Sequence, residues 1–421
     1  MNSILIVKTS AIGDVIQTFA VLEYLRQKFP SSQIDWVVEQ GIAPLLRAHP
    51  QINNVIEIDS KVWRKAPFAR QTRQEFSAFV SQLRAVRYDL LFDLQGNSKS
   101  ALVTCCAKAD VKVGFGIKSV REKSNLLATT RRFNMAPGLN VRLKYLGLAQ
   151  SYFEDSESFI PSGVHLTLSE EERGRLQQLG ALIPGVTQEL AARVRQRPGI
   201  EMGGGGDCIE FNTIPSPANS IAGAFTHPGS QFLSHSGYIK PGPTLMICFG
   251  SRWQNKQLPT ATLLALLKKI AAKDNPFFVL IYGNEEEKQV ATRLLEQCQG
   301  RGAVIGELTL PLWQALMWEV DGVLAVDSAA LHLCGTTQTP SFSLFGPSLA
   351  LAYKPLEERH VAVQGACPYH KRSFSSVCPV LRTCPTGACI GQLEAEELFA
   401  AYRRWRDLIQ MPLERGAGLP G

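Results

Sequence analysis

No uninterrupted apolar stretch in the 421 residues reaches the roughly 18 that a membrane-spanning helix needs. The N-terminus enters a strand-like run directly, without the basic and apolar segments of a signal peptide, so a cytoplasmic protein is expected. Charge is sparse and nearly balanced: 19% of residues are Asp, Glu, Lys or Arg, and the formal net charge is +7. That excess is too weak to indicate nucleic acid unaided, and no nucleic-acid partner is expected; it suits an anionic ligand or an anionic membrane surface. The chain has no Asp-x-Asp pair to grip a divalent metal and no Walker spacing, and its ten cysteines include no C-x2-C pair. In a reducing compartment those cysteines read as thiols rather than disulfides.

What is present is alternation. Strand-like apolar runs at 4–8 ("ILIVK"), 34–39 ("IDWVVE"), 54–59 ("NVIEID") and 88–94 ("YDLLFDL") are separated by helical stretches. A second series follows at 243–251 ("PTLMICFGS"), 277–284 ("FFVLIYGN"), 303–308 ("AVIGEL"), 322–328 ("GVLAVDS") and 340–347 ("PSFSLFGP"). The pattern predicts an α/β protein with two doubly wound, Rossmann-like parallel-sheet domains facing one another. Residues 1–196 form the first domain on this reading and 244–364 the second, with a Gly/Pro-rich linker or insertion at 197–243 between them. Residues 365–421 make a Cys-rich tail and C-terminal helix. Ligands of such sheets bind beyond the carboxyl ends of the strands, so the polar residues after each run are the candidates for chemistry.

After the first run, Lys8, Thr9 and Ser10 end the strand, Gly13 permits a tight bend, and Asp14 leads into "VIQTFAVLEYL". A first-turn acid is favoured by the helix dipole by ~0.3–1 kcal/mol, which accounts for Asp14 as a capping residue. The same position at the mouth of the sheet also suits a general base taking a proton from an attacking hydroxyl. In "FGSRWQNKQLP", Ser251 and the loop amides are placed to hydrogen-bond phosphate oxygens and Lys256 to add positive charge, although a solvated loop lysine is the plain alternative. In "GVLAVDSAALHLCG", Asp327 and Ser328 begin a helix and His332 follows one turn on. They read either as a cap with a packed histidine or as a diphosphate and sugar site using the amides from Ala329 onward. Glu285 opens a helix where a carboxylate would hold two ribose hydroxyls, or serves as an ordinary N-terminal glutamate.

Together these stretches carry a family resemblance. "ILIVKTSAIGDV", "WVVEQG", "KVWRKAPF", "FDLQGNSKSALV", "VREKSNLL", "FGSRWQNKQLP", "GNEEEKQVATRLL", "AVDSAALHL" and "LFGP" resemble, in order and spacing, the bacterial heptosyltransferases, inverting glycosyltransferases of family nine. The resemblance covers residues 1 to about 355, and "VKTSAIGDV" with "WRKAPF" is similar to the heptosyltransferase I type. It implies a GT-B fold, a nucleotide-sugar donor such as ADP-heptose on the C-terminal domain, and a Kdo-lipid A type glycolipid acceptor of the lipopolysaccharide inner core on the N-terminal domain. Asp14 is implied as catalytic base. Ser251, Lys256, Glu285, Asp327, Ser328, Ala329 and His332 are implied at the donor, and Thr9, Ser10, Gly13, Arg64, Lys65 and Arg121 at the acceptor. No cofactor and no metal are expected, because a single displacement needs only a base behind the hydroxyl and charge around the leaving diphosphate. Gly250 stands where related sequences often carry a hydroxyl residue, and Ala329 where many have glycine.

Two features lie beside this reading. Cys367, Cys378, Cys384 and Cys389, near His370, number enough for a zinc or iron–sulfur site, but prolines follow three of them and reduced structural thiols are the leading expectation. The cluster Lys61, Arg64, Lys65, Arg70 and Arg73, interleaved with Trp63, Phe68 and Phe76, reads as a solvated face or as a peripheral contact with the anionic inner membrane.

Overall fold

The computed structural model describes residues 1–183, 242–369 and 377–410. The expected linker at 197–243 lies outside the described residues apart from its last two. The first sheet holds β1 (Ser3–Val7), β2 (Gln33–Glu39), β3 (Asn54–Ile58), β4 (Tyr88–Asp93), β5 (Ala109–Phe115) and β6 (Arg131–Phe133) in the order β3-β2-β1-β4-β5-β6. The second holds β7 (Thr244–Cys248), β8 (Phe277–Ile281), β9 (Arg301–Ile305), β10 (Gly322–Val326), β11 (Ser341–Phe345) and β12 (His360–Gln364) in the order β12-β11-β10-β7-β8-β9. Every pairing is parallel. The two windings are the same, each reversing direction between its first and fourth strands, and the reversal opens a crevice at the carboxyl edge.

Helices cover both faces of these sheets, so the central strands are buried throughout and mostly apolar. Every residue of β1, β7, β10 and β11 is buried. Three strands escape the sequence pattern. β5 carries Asp110 and Lys112, β6 has three residues of which two are arginine, and β12 is a short edge strand; none presents a continuous apolar run.

From Ser162 the chain runs between the lobes: the Ser162 N–H donates to Glu23 Oε2 at 3.0 Å and the Thr167 N–H to the Ala48 carbonyl at 2.7 Å in the first, while the Val164 N–H donates to the Thr336 carbonyl at 3.0 Å and the Leu166 N–H to Gln314 Oε1 at 2.9 Å in the second. Leu176 and Leu179 of helix Glu170–Leu182 join a core with Leu312 and Leu316 of helix Leu310–Trp318. Helix Ala395–Gln410 is likewise core rather than tail. Tyr402 donates to Asp274 at 2.8 Å, and Trp405 Nε1 donates to the Arg359 carbonyl at 3.0 Å beneath the second sheet. The lobes meet directly where helix Ile12–Gln17 packs on helix Ala329–Cys334.

Candidate active site

Between the lobes lies a cavity of about 380 Å³, within the size range of small-molecule sites. The second lobe supplies most of its wall. Gly250, Ser251 and Trp253 follow β7, Asp327 and Ser328 follow β10, and Lys256, Glu287 and His332 complete it. The first lobe closes it with Ala11, Ile12 and Gly13.

The charged centre is an ion pair: Lys256 Nζ is 2.6 Å from Asp327 Oδ2. Burial alone would push the Asp327 carboxyl up, but the Lys256 ammonium beside it holds the group below its ordinary value. His332 Nε2 lies 3.6 Å from the other oxygen, Oδ1. Burial dominates that imidazole and lowers its pKa to about 4, so it is neutral near pH 7 despite the nearby carboxylate. Ser328 Oγ and His332 Nδ1 are buried without a hydrogen-bond partner among the described residues. Ser328 also leaves the start of its helix without a side-chain cap, and this wall offers a ligand the hydroxyl, the imidazole and the first helical N–H groups.

On the first lobe, Asp14 is the third residue of helix Ile12–Gln17, half-buried, with the Ala11 N–H 3.4 Å from Oδ2. Its charge acts on Lys8, Lys144 and Tyr145 in its own lobe and on His332 in the other; its neighbours Ala11, Ile12 and Gly13 line the cavity, and Asp14 itself is not in the wall. Lys8 is buried, donating to the Tyr145 hydroxyl at 2.7 Å and the Leu94 carbonyl at 3.3 Å; burial lowers its pKa to about 8 against the opposing pull of Asp14 and Asp93. Gln95 Oε1 fixes the loop by accepting from the N–H groups of Thr9 and Ser10 at 3.1 and 3.2 Å. Lys99 bridges Ser10 Oγ at 3.2 Å and Glu39 Oε1 at 2.6 Å.

Several expected residues stand elsewhere. Glu285 points to solvent with its side chain 71% exposed, 3.6 Å from Lys288. Glu287, two positions on, lines the cavity instead, its Oε2 accepting from the Gly283 N–H at 2.7 Å. A Cβ at Gly250 would come 2.5 Å from Glu287 Oε1, so glycine there makes room for that carboxylate. Thr9 is fully buried and supports the loop without facing the cleft. Arg64 and Lys65 lie exposed on helix Ser60–Lys65, away from the cavity wall, with Arg121 exposed in the loop after β5. In the basic cluster, Phe68 is 88% exposed, while Trp63 and Phe76 are half-buried and pack edge-to-face at 5.6 Å.

Among the described residues no three of His, Cys, Asp and Glu are grouped to hold a metal, and His370 lies outside them. Backbone N–H groups of Gly387 and Thr386 lower the Cys384 thiol, while burial raises that of Cys389. The sequence reading missed Glu287, Lys99, Tyr145 and Gln95. Only Glu287 carried a signal, as the third residue of a helix whose Asn284 cap accepts its N–H at 2.9 Å.

The arrangement sets one carboxylate on the first lobe against a cation and hydrogen-bond donors on the second. It is compatible with displacing a phosphorylated leaving group. Known proteins agree with this architecture. The chain is 26% identical to lipopolysaccharide heptosyltransferase 1 of Pseudomonas aeruginosa over 82% of its length and 79% of the relative's. It is 37% identical to the protein of that name in Escherichia coli K12 over 32% of its length, a match spanning 42% of that relative. The structure of E. coli heptosyltransferase WaaC with ADP superposes with a TM-score of 0.66, covering 96% of this chain and 99% of that one at 20% identity. E. coli ADP-heptose lps heptosyltransferase II gives 0.60 at 16% identity, covering 98% of this chain and 100% of that one. At such identities these likenesses establish the fold, two facing parallel-sheet lobes of the GT-B type. The profile of glycosyltransferase family 9 (heptosyltransferase) matches residues 76–184 and 213–382, and the chain belongs to that family.

Proposed function

We propose that this protein is an inverting heptosyltransferase that moves a heptose from ADP-heptose to a hydroxyl of the Kdo/heptose inner core of lipopolysaccharide, with Asp14 as general base. The observation that carries the reading is the placement of the Asp14 helix across the cleft from the Lys256–Asp327 pair, with Gly13 against His332. Asp14 takes the proton of the acceptor hydroxyl as its oxygen attacks the anomeric carbon from the face opposite the diphosphate. Lys256, freed in part from Asp327, and the Ser328 hydroxyl take up the charge that develops on the departing phosphate. Asp327 accepts from sugar hydroxyls, and Glu287 replaces Glu285 as the carboxylate at the ribose. Closure of the lobes excludes the water that would hydrolyse the donor.

The acceptor, a Kdo-lipid A type glycolipid, lies on the first lobe among Ser10, Lys99, Lys144 and Arg121, where cations meet its acidic groups. Arg64 and Lys65 face outward with Phe68, a pattern suited to peripheral contact with the anionic cytoplasmic face of the inner membrane. No helix among the described residues is long and apolar enough to cross a membrane. The test is a donor panel: purified protein with ADP-heptose or other nucleotide-sugars, with and without Kdo-lipid A, monitored for nucleoside diphosphate release. Acceptor-dependent ADP release from ADP-heptose supports the assignment. Acceptor-dependent release from another donor alone reassigns the sugar, and tight nucleotide binding without turnover of any donor identifies a binding protein on this fold.

A further inference from the structure

Besides the contact of helix Ile12–Gln17 with helix Ala329–Cys334, the first lobe is seated on the second through the start of another helix. Asn140 caps helix Val141–Tyr152, its Oδ1 accepting the Arg142 N–H at 3.0 Å, while its Nδ2 donates across the lobe boundary to the carbonyls of Lys354 at 2.9 Å and Leu351 at 3.1 Å. Arg142, only 5% exposed, adds Nη1 donation to the carbonyls of Tyr353 at 3.2 Å and Lys354 at 3.3 Å, and places Nη2 3.5 Å from the carbonyl of His332. Gly335 is the floor of this socket, since a Cβ there would come 2.8 Å from Nη2. Burial lowers the guanidinium to about 10, so it remains charged at neutral pH.

The acceptors of these bonds are main-chain carbonyls of the second lobe. A hydrophobic contact would hold the lobes together as firmly; what a planar fan of donors adds is a fixed angle and register. The register runs to the site from both ends. One turn along the same helix, Tyr145 holds Lys8 and Lys144 lies within the field of Asp14. In the other lobe, the residue whose carbonyl Arg142 approaches, His332, presents its ring to Gly13. Gly13, His332, Arg142 and, through its bond to Lys8, Tyr145 thus form a chain of contacts running between the lobes beside the cleft.

We propose that Arg142 is a positioning residue for the transfer, setting the distance between the Asp14 helix and the donor cavity by seating the first lobe on the His332 and Tyr353–Lys354 carbonyls. The proposal rests on the reading of Asp14 as base and of the cavity as donor site. Arg142→Gln keeps some hydrogen-bonding capacity but loses the reach and the fan. It is expected to lower kcat about 100-fold, the size of a misplacement near 1 Å, while ADP affinity measured by calorimetry stays at the wild-type value. Arg142→Lys recovers part of kcat, because an ammonium reaches one of the carbonyls. Hydrogen exchange accelerates in 351–354 and in the 12–17 helix together, with the second-sheet strands unchanged. A kcat equal to wild type, or ADP affinity falling in step with kcat, overturns the proposal, as does faster exchange confined to 351–354. The binding and exchange measurements need no turnover, so failure of the transferase reading, seen as an inactive wild type, is separable from failure of the seating.

Discussion

Gly13 and His332 face each other across the lobes at a distance that leaves no room for a methyl group: a Cβ on Gly13 would sit 2.6 Å from His332 Cδ2. The backbone at Gly13, the second residue of helix Ile12–Gln17, is thereby pressed onto the ring that neighbours Asp327, and the requirement for glycine is one of approach. Gly13→Ala is expected to push the lobes apart or rotate the imidazole, at an overpacking cost of about 1–3 kcal/mol, and to lower kcat more than it lowers thermal stability. Steady-state kinetics beside a melting curve decide it; wild-type kcat in a folded variant would show that the lobes approach differently in turnover.

The Lys256–Asp327 pair links stability to acid. The folded-state pKa of Asp327 is depressed, so its contribution is present above the unfolded value and is lost as pH falls through the folded one. Lys256→Met leaves a buried carboxylate without its cation and is expected to cost about 3–5 kcal/mol at pH 7, with the cost shrinking as pH falls and the carboxyl is protonated, and to weaken ADP binding. Urea titrations at pH 7 and pH 4 measure the first two. An equal cost at both pH values would mean that Asp327 does not depend on Lys256 for its charge.

Three buried histidines act at milder pH. Burial lowers His332 and His360 to about 4 and His49 to about 3, all below the unfolded value, so the unfolded chain binds more protons and stability falls as pH drops from about 6.5 toward 4. Each contributes a slope of up to about 1.4 kcal/mol per pH unit in that window. His49 is remote from the cleft, packed edge-on to Phe19 at 4.6 Å. His49→Leu is expected to flatten the pH dependence of unfolding free energy by close to one proton between pH 6 and 5; an unaltered slope would show that His49 is protonated in the native state.

Of the three glutamates that open helix Glu285–Gln297, the first and third separate cleanly. Glu287 lines the cavity and Glu285 faces water. Glu287→Gln is expected to raise the donor KM about tenfold, the loss of a charged hydrogen bond of roughly 1.5 kcal/mol, with Glu285→Gln near wild type. The reverse ranking would return the ribose to Glu285.

The doubly wound architecture was legible because buried parallel strands need continuous apolar runs, and β1, β2, β4, β7, β8 and β10 have them. β5, β6 and β12 were not, since charged or short edge strands owe their state to neighbours rather than to their own pattern. Asp327 and Ser328 stood out because they follow β10 directly, with His332 one helical turn on, and Lys256 because it lies in the connection after β7. Arg142 and Lys99 were not, because each sits inside a helix and acquires its partners only when distant segments meet. Glu285 was displaced by Glu287 through helical phase alone, two residues turning a side chain to the opposite side of the helix.

The most direct measurement is acceptor-dependent release of ADP by Asp14→Asn, taken with ADP binding by the same variant. If Asp14 removes the proton of the attacking hydroxyl, kcat falls by about 10²- to 10⁴-fold while ADP affinity is retained, because the carboxamide keeps the shape and loses the basicity. Turnover by Asp14→Asn at the wild-type rate would contradict the account.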